Sequence, residues 1–148
     1  MSTLATMRHN RSIPDAVIIP ELAYPDVQTA ATWLCEKFGF QERLRIGNHR
    51  CQLLFGSGAL VLTERPSSTT SGKPEQLHSV MVRVEDIDRH HAHAVKQGVR
   101  ILRPPADYPY GERQYTAEDP GGHIWTFTQT IADSDPASWG GVLLKTGA

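Results

Sequence analysis

Two stretches decide the fold: Asp26-Val27-Gln28-Thr29-Ala30-Ala31-Thr32-Trp33-Leu34-Cys35-Glu36-Lys37-Phe38-Gly39, and sixty residues on, Asp86-Ile87-Asp88-Arg89-His90-His91-Ala92-His93-Ala94-Val95-Lys96-Gln97-Gly98. In the first, Asp26 is a good N-cap, Val27, Ala30, Ala31, Leu34, Cys35 and Phe38 recur at helical spacing, and Gly39 supplies a left-handed stop. The second repeats the design, with Asp86 as cap, Ile87, His91, Ala94 and Val95 as the apolar stripe, and Gly98 as stop. The spacing predicts two helices with one buried face each.

The flanks repeat as well. Short strand-like runs, Ile18–Tyr24 and Ser79–Val84, lead into the two caps. After the first helix come Gln41–Ile46, His49–Phe55 and Ala59–Thr63, broken at Gly47-Asn48 and Gly56-Ser57-Gly58 by turn chemistry. After the second come Arg100–Arg103, Gly111–Ala117 and His123–Thr130, broken at Pro104-Pro105 and Asp119-Pro120-Gly121-Gly122. Each half therefore reads βαβββ, and two copies at this period fit a pseudo-twofold duplication better than a solenoid. The fold class is α+β, one domain made of module one (residues 14–64) and module two (77–131). A linker (65–76) rich in Pro, Ser, Thr and Gly separates them, and a C-terminal tail (132–148) follows, with Trp139 as the residue able to dock it.

With 148 residues the chain has the size of one domain, and 39% hydrophobic with 21% charged residues is a globular composition. Fifteen basic against sixteen acidic residues leave a net charge of -1 with no long run of either sign, which argues against a nucleic-acid partner. No apolar stretch approaches a membrane span, and the first twenty residues hold no unbroken apolar segment, so the expectation is no membrane association and a cytoplasmic location. Cys35 and Cys51 are too few and too far apart for a metal-ribbon pattern and are expected as free packing thiols. There is no GxSxG elbow, no phosphate-cradling glycine loop and no HExxH.

Over residues 14–131 the chain resembles the vicinal oxygen chelate superfamily of glyoxalase I, bleomycin-resistance proteins, fosfomycin-modifying enzymes and extradiol dioxygenases. The resemblance is carried by Tyr24-Pro25-Asp26-Val27 with Phe38-Gly39-Phe40, by Val84-Glu85-Asp86-Ile87-Asp88 with Gly98-Val99, and by Asp119-Pro120-Gly121-Gly122-His123-Ile124-Trp125-Thr126-Phe127. It implies mixed sheets curling around a shared cleft, a homodimer, and in the enzymes a divalent metal held by His, Glu or Gln from cleft-facing strands. Registered on the two capping aspartates and the Asp-Pro turn, those ligand positions fall on Ile19, Val61, Ser79 and Thr126, which are poor ligands. No metal cofactor is expected, which brings the chain closer to the bleomycin-resistance-like members.

Strand alternation sorts the lining. Val80, Val82, Val84, Trp125 and Phe127 belong under the helices, leaving Ser79, Met81, Arg83, Thr126 and Thr128 for the cleft. In the first strand Ile19, Glu21 and Ala23 share a face opposite Leu22 and Tyr24. Glu21 and Arg83 hold related positions, to pair across the cleft or bind a charged ligand, or else to stand as solvated surface charges. The loop Tyr108-Pro109-Tyr110-Gly111-Glu112-Arg113-Gln114-Tyr115 suits stacking on a planar ligand, with Tyr110 and Arg113 as contacts, or simply packs for stability. The ligand-binding set is thus Glu21, Ser79, Arg83, Tyr110, Arg113, Thr126 and Thr128.

His90, His91 and His93 cluster on the second helix without a third ligand and read as a solvated surface. A competing metal set of His78, Glu21 and Glu64 requires a local bulge. The function expected is small-molecule binding without a catalytic metal. The alternative is a divalent-metal lyase, isomerase or dioxygenase with displaced ligands, and a third reading is an interaction module with a vestigial cleft.

Overall fold

The structure is a computed structural model and describes residues 10–65 and 78–143. Helix α1 (Val27–Phe38) forms where its caps predict: the Asp26 carboxylate accepts from Thr29 N at 3.1 Å, and Gly39 turns left-handed at φ 88° with its N–H on the Leu34 carbonyl. Around it lie β1 (Glu21–Tyr24), β2 (Gln41–Ile46), β3 (Arg50–Phe55) and β4 (Gly58–Glu64), in the sheet order β1-β4-β3-β2 with β1 parallel to β4. Tyr24, Leu22, Leu62, Leu53 and Cys51 share the helix-side face and are buried with Val27, Ala30, Ala31, Leu34 and Phe38. Each leucine, valine or phenylalanine among them contributes about 1.5–3 kcal/mol on leaving water.

Module two repeats this element by element. Its strands β5 (Ser79–Arg83), β6 (Arg100–Tyr108), β7 (Glu112–Glu118) and β8 (Ile124–Thr130) lie in the order β5-β8-β7-β6, with β5 parallel to β8 and α2 (Ile87–Lys96) between β5 and β6. The βαβββ repeat read from the sequence is therefore present, in two compact units of one mixed sheet and one helix each. On the helix side Phe127 stacks on Tyr115 (centroids 5.2 Å) and on Trp125 (6.4 Å). The closing turn is held by the buried Asp119, which accepts from Gly121 N, His123 N and Trp125 Nε1 at 2.9–3.0 Å. That is why Asp, Gly, Gly, His and Trp stand together in the chain.

Several sequence expectations are corrected. The first strand begins at Glu21 and Ile18 is 82% exposed, because Pro20 has no N–H for the ladder and offers only its carbonyl, to Val61 N at 2.9 Å. Strand β6 does not break at Pro104-Pro105. It is the edge strand, so prolines cost it no ladder partner, and the pairing merely shifts register between Arg103 and Ala106. Arg65 prolongs β4, its N–H on the Tyr24 carbonyl, and the rest of the expected linker lies outside the described residues.

On α2 the inner stripe is Ile87, His90, His91 and Ala94, while Val95 is 53% exposed. His90 is not solvated surface: its ring lies 4.3 Å from Phe127 and its Nδ1 2.6 Å from the Tyr115 hydroxyl, a partner no valine could use.

The described part of the tail, to residue 143, folds back on the β6–β7 turn. Gly111 (φ 81°) accepts from Ile131 N and Ala132 N, Ser134 Oγ donates to the Pro109 carbonyl, and Trp139 in a 3-10 turn (Pro136–Trp139) meets Tyr110 edge-on at 5.5 Å.

Candidate functional site

Because side chains alternate along a strand, each sheet has a second face turned away from its helix. In module two this open face carries Ser79, Met81 and Arg83 from β5, Thr126, Thr128 and Thr130 from β8, Glu112, Gln114 and Thr116 from β7, and Ala106 and Tyr108 from β6. Its centre is polar and ordered. The Thr128 hydroxyl, 2% exposed, donates to Glu112 Oε1 at 2.6 Å and accepts from Gln114 Nε2 at 3.2 Å. The Gln114 carbonyl oxygen accepts from the Tyr110 hydroxyl at 3.4 Å, which brings that phenol to the same face. Arg83 donates through Nη2 to Thr130 Oγ1 at 3.0 Å, and among the described residues no carboxylate lies within ion-pair distance of it.

Five of the residues singled out in the sequence, Ser79, Arg83, Tyr110, Thr126 and Thr128, therefore meet on one face. Ser79 is exposed at its edge, Thr126 is half-buried with its hydroxyl 3.4 Å from that of Thr116, and Tyr110 stacks on Tyr108 (5.5 Å, 11°) with 37% of its surface exposed. Arg113 does not join them. It alternates to the helix side, where its guanidinium donates to Asp107 at 3.0 Å and Asp88 at 3.1 Å, and these carboxylates raise its pKa. Glu112 and Gln114, missed in the sequence, were legible as the alternate positions to Arg113 and Tyr115 within Gly111–Ala117, a segment the sequence already reads as a strand.

Glu21 sits on the open face of module one and accepts from Arg50 Nη2 at 3.2 Å, so its partner is not Arg83. The same face carries Gln52, buried, whose amide donates to the Ser12 carbonyl at 2.8 Å, while Arg43 donates to the Arg11 carbonyl at 2.8 Å. Arg11 and Ser12 thus lie against this sheet, ahead of where the sequence reading placed the start of the module.

The superfamily's metal does not fit these residues. Of its four expected positions Val61 is a buried apolar side chain, Ile19 precedes the first strand, and Ser79 and Thr126 offer only hydroxyls. The competing set fails by geometry, since Glu21 and Glu64 pair with Val61 and Tyr24 and so point to opposite faces of the sheet. His78 stacks toward His123 (6.0 Å) one residue ahead of the Ser79–Ile124 pair, which gives both rings the parity of the helix side. Among the described residues no three His, Cys, Asp or Glu side chains gather as a chelate. Both cysteines are free. Burial, aided by Glu42, pushes the Cys51 thiol up to about 11 and raises that of Cys35, the reverse of an activated thiolate. No helix is long and apolar enough to cross a membrane.

The fold has known counterparts. TioX from Micromonospora sp. ML1 is 33% identical over 78% of this chain and 99% of its own, with a TM-score of 0.67. A glyoxalase/bleomycin resistance protein/dioxygenase from Nocardioides (20% identity, 98% of this chain and 95% of that one, TM-score 0.61) shares the fold. So does the lactoylglutathione lyase of Agrobacterium tumefaciens (15% identity, 78% and 94%, TM-score 0.61). No curated protein matches the chain. Residues 16–127 match the Glyoxalase/Bleomycin resistance protein/Dioxygenase superfamily, spanning both βαβββ units, and the chain belongs to that superfamily.

Proposed function

We propose that this chain binds a small organic molecule on the open face of module two and does so without a catalytic metal. The observation that carries the reading is the donor set around Thr128 and Thr130: the Arg83 guanidinium, hydroxyls, the Gln114 amide and the Glu112 carboxylate stand beside Tyr110, a set suited to hydrogen bonding and stacking. A divalent ion needs three or four anionic or imidazole donors at fixed distances, and the cluster around Thr128 and Thr130 supplies one, Glu112. The reading takes the chain as a homodimer, as superfamily members commonly are, with no nucleic acid or membrane partner and a cytoplasmic location.

A thermal-shift screen of small organic molecules, run with excess chelator, tests it. Stabilising compounds are expected, and their effect is expected to disappear in Arg83→Gln while chelator changes nothing. Stabilisation that requires added Ni, Zn, Fe or Mn overturns it, and a screen with no response favours the interaction-module reading instead.

A further inference from the structure

We propose that module one carries a second binding face, one for a reverse turn of peptide, and that residues 10–13 of the chain itself keep it filled. This inference does not rest on the module-two reading. Glu21 and Met81 each stand five residues before a capping aspartate. The row Glu21–Val61–Gln52 across β1, β4 and β3 therefore corresponds to Met81–Thr126–Thr116 across β5, β8 and β7. The second row is accessible, with Met81 62% exposed and both threonines half-buried, whereas Val61 and Gln52 in the first are buried. At Gln52 the cover includes a stretch of the chain itself.

That stretch is a turn presented by its backbone. The Ile13 N–H donates to the Asn10 carbonyl at 3.3 Å and the Ser12 N–H to Asn10 Oδ1 at 3.0 Å, which bends the chain so that the Arg11 and Ser12 carbonyls face the sheet together. Arg43 Nη2 donates to the first and Gln52 Nε2 to the second, each at 2.8 Å. The two donors are also fixed to one another: Arg43 Nη1 donates to Gln52 Oε1, which settles the end of the amide that points outward. A guanidinium and an oriented amide aimed at two neighbouring carbonyls form a receptor for peptide groups that needs no particular side chain. The occupant agrees with that, since Arg11, Ser12 and Ile13 are exposed while Pro14 behind them is buried. Two hydrogen bonds, worth roughly tenfold each in the docking equilibrium, hold a segment with little apolar surface to keep it down. When the turn lifts about Pro14, the Arg43 and Gln52 N–H groups are free for another peptide turn with two adjacent carbonyls.

The full chain is tested with the capped peptide acetyl-Asn-Arg-Ser-Ile-Pro-amide, which copies residues 10–14. In Asn10→Ala/Ser12→Gly the turn loses its side-chain acceptor and gains backbone freedom while the receptor is untouched. Both residues are exposed, so the fold of this variant is not at stake. In Arg43→Gln/Gln52→Leu the receptor is lost. Trypsin cleavage after Arg11, identified by mass and scaled to a free peptide of the same sequence, is expected to be roughly fivefold faster or more in both variants. By 1H–15N NMR the peptide is expected to shift the Gln52 side-chain amide of Asn10→Ala/Ser12→Gly and to bind the unaltered chain roughly fivefold more weakly, because there the face is filled most of the time. It is expected to leave Arg43→Gln/Gln52→Leu unmoved.

Cleavage unchanged in either variant means that these bonds do not hold the segment, and overturns the proposal. So does equal peptide affinity in the unaltered and loosened chains, or an absence of binding to the loosened one. A peptide that shifts Gln114 in place of Gln52 overturns it too, and assigns peptide recognition to module two.

Discussion

The His90 Nδ1 atom lies 2.6 Å from the Tyr115 hydroxyl, tying α2 to the middle of the second sheet. The phenol is buried and the imidazole lies against Phe127, so this is a polar bond inside an aromatic cluster. Removing the hydroxyl in Tyr115→Phe is expected to cost about 1 kcal/mol. A double-mutant cycle with His90→Phe, read by urea denaturation, should return a coupling energy of about the same size, and zero coupling would show that the contact does not stabilise.

Asp119 is expected to be the most sensitive carboxylate in the chain. It satisfies two turn amides and the indole N–H of a fully buried tryptophan. Asp119→Ala removes the carboxylate that accepts from all three donors, and a loss of about 3 kcal/mol is expected in chemical denaturation. Asp119→Asn should recover part of it, because the amide oxygen can still accept from the turn.

Alkaline pH should destabilise the fold in two steps. The Cys51 thiol, ordinarily at 9.0, is raised to about 11 by burial, Cys35 is raised as well, and burial also raises the Tyr115 phenol from 10.0. Each group binds its proton more tightly folded than unfolded, so its stabilising contribution is complete below the unfolded pKa and is lost as pH rises through the folded one. Melting temperature should therefore hold steady up to about pH 9 and fall above it. In Cys35→Ala/Cys51→Ala the onset should move to about pH 10, where Tyr115 takes over.

Gly111→Ala should release the tail. The residue is left-handed at φ 81°, and an added Cβ runs into the Ala132 carbonyl. Left-handed backbone alone costs a non-glycine residue about 1–2 kcal/mol. The expected result is a lower melting temperature together with faster proteolysis between residues 132 and 140. Unchanged proteolysis would mean that the tail holds by Trp139 and Ser134 without the turn.

What the sequence disclosed divides along the range of the forces involved. Both helices were legible because Asp26, Gly39 and Asp86 act on neighbours three to five residues away. Strand β6 running through Pro104-Pro105 was not, since proline is tolerated there only because β6 is an edge, a fact about sheet order. The open face of module two was legible as far as alternation was applied: Arg83 and Thr128 follow from it, whereas alternation was not carried into Gly111–Ala117, where treating Tyr108–Tyr115 as a stacking loop hid Glu112 and misplaced Arg113. The inward turn of His90 depends on a tyrosine twenty-five residues away, which the helical pattern does not contain.

Metal content tests the central claim most directly. Elemental analysis of the chain purified without chelator is expected to give only substoichiometric Ni, Zn, Fe and Mn, unchanged in Glu21→Ala and His78→Ala. A near-stoichiometric ion that is lost in either variant would contradict the account.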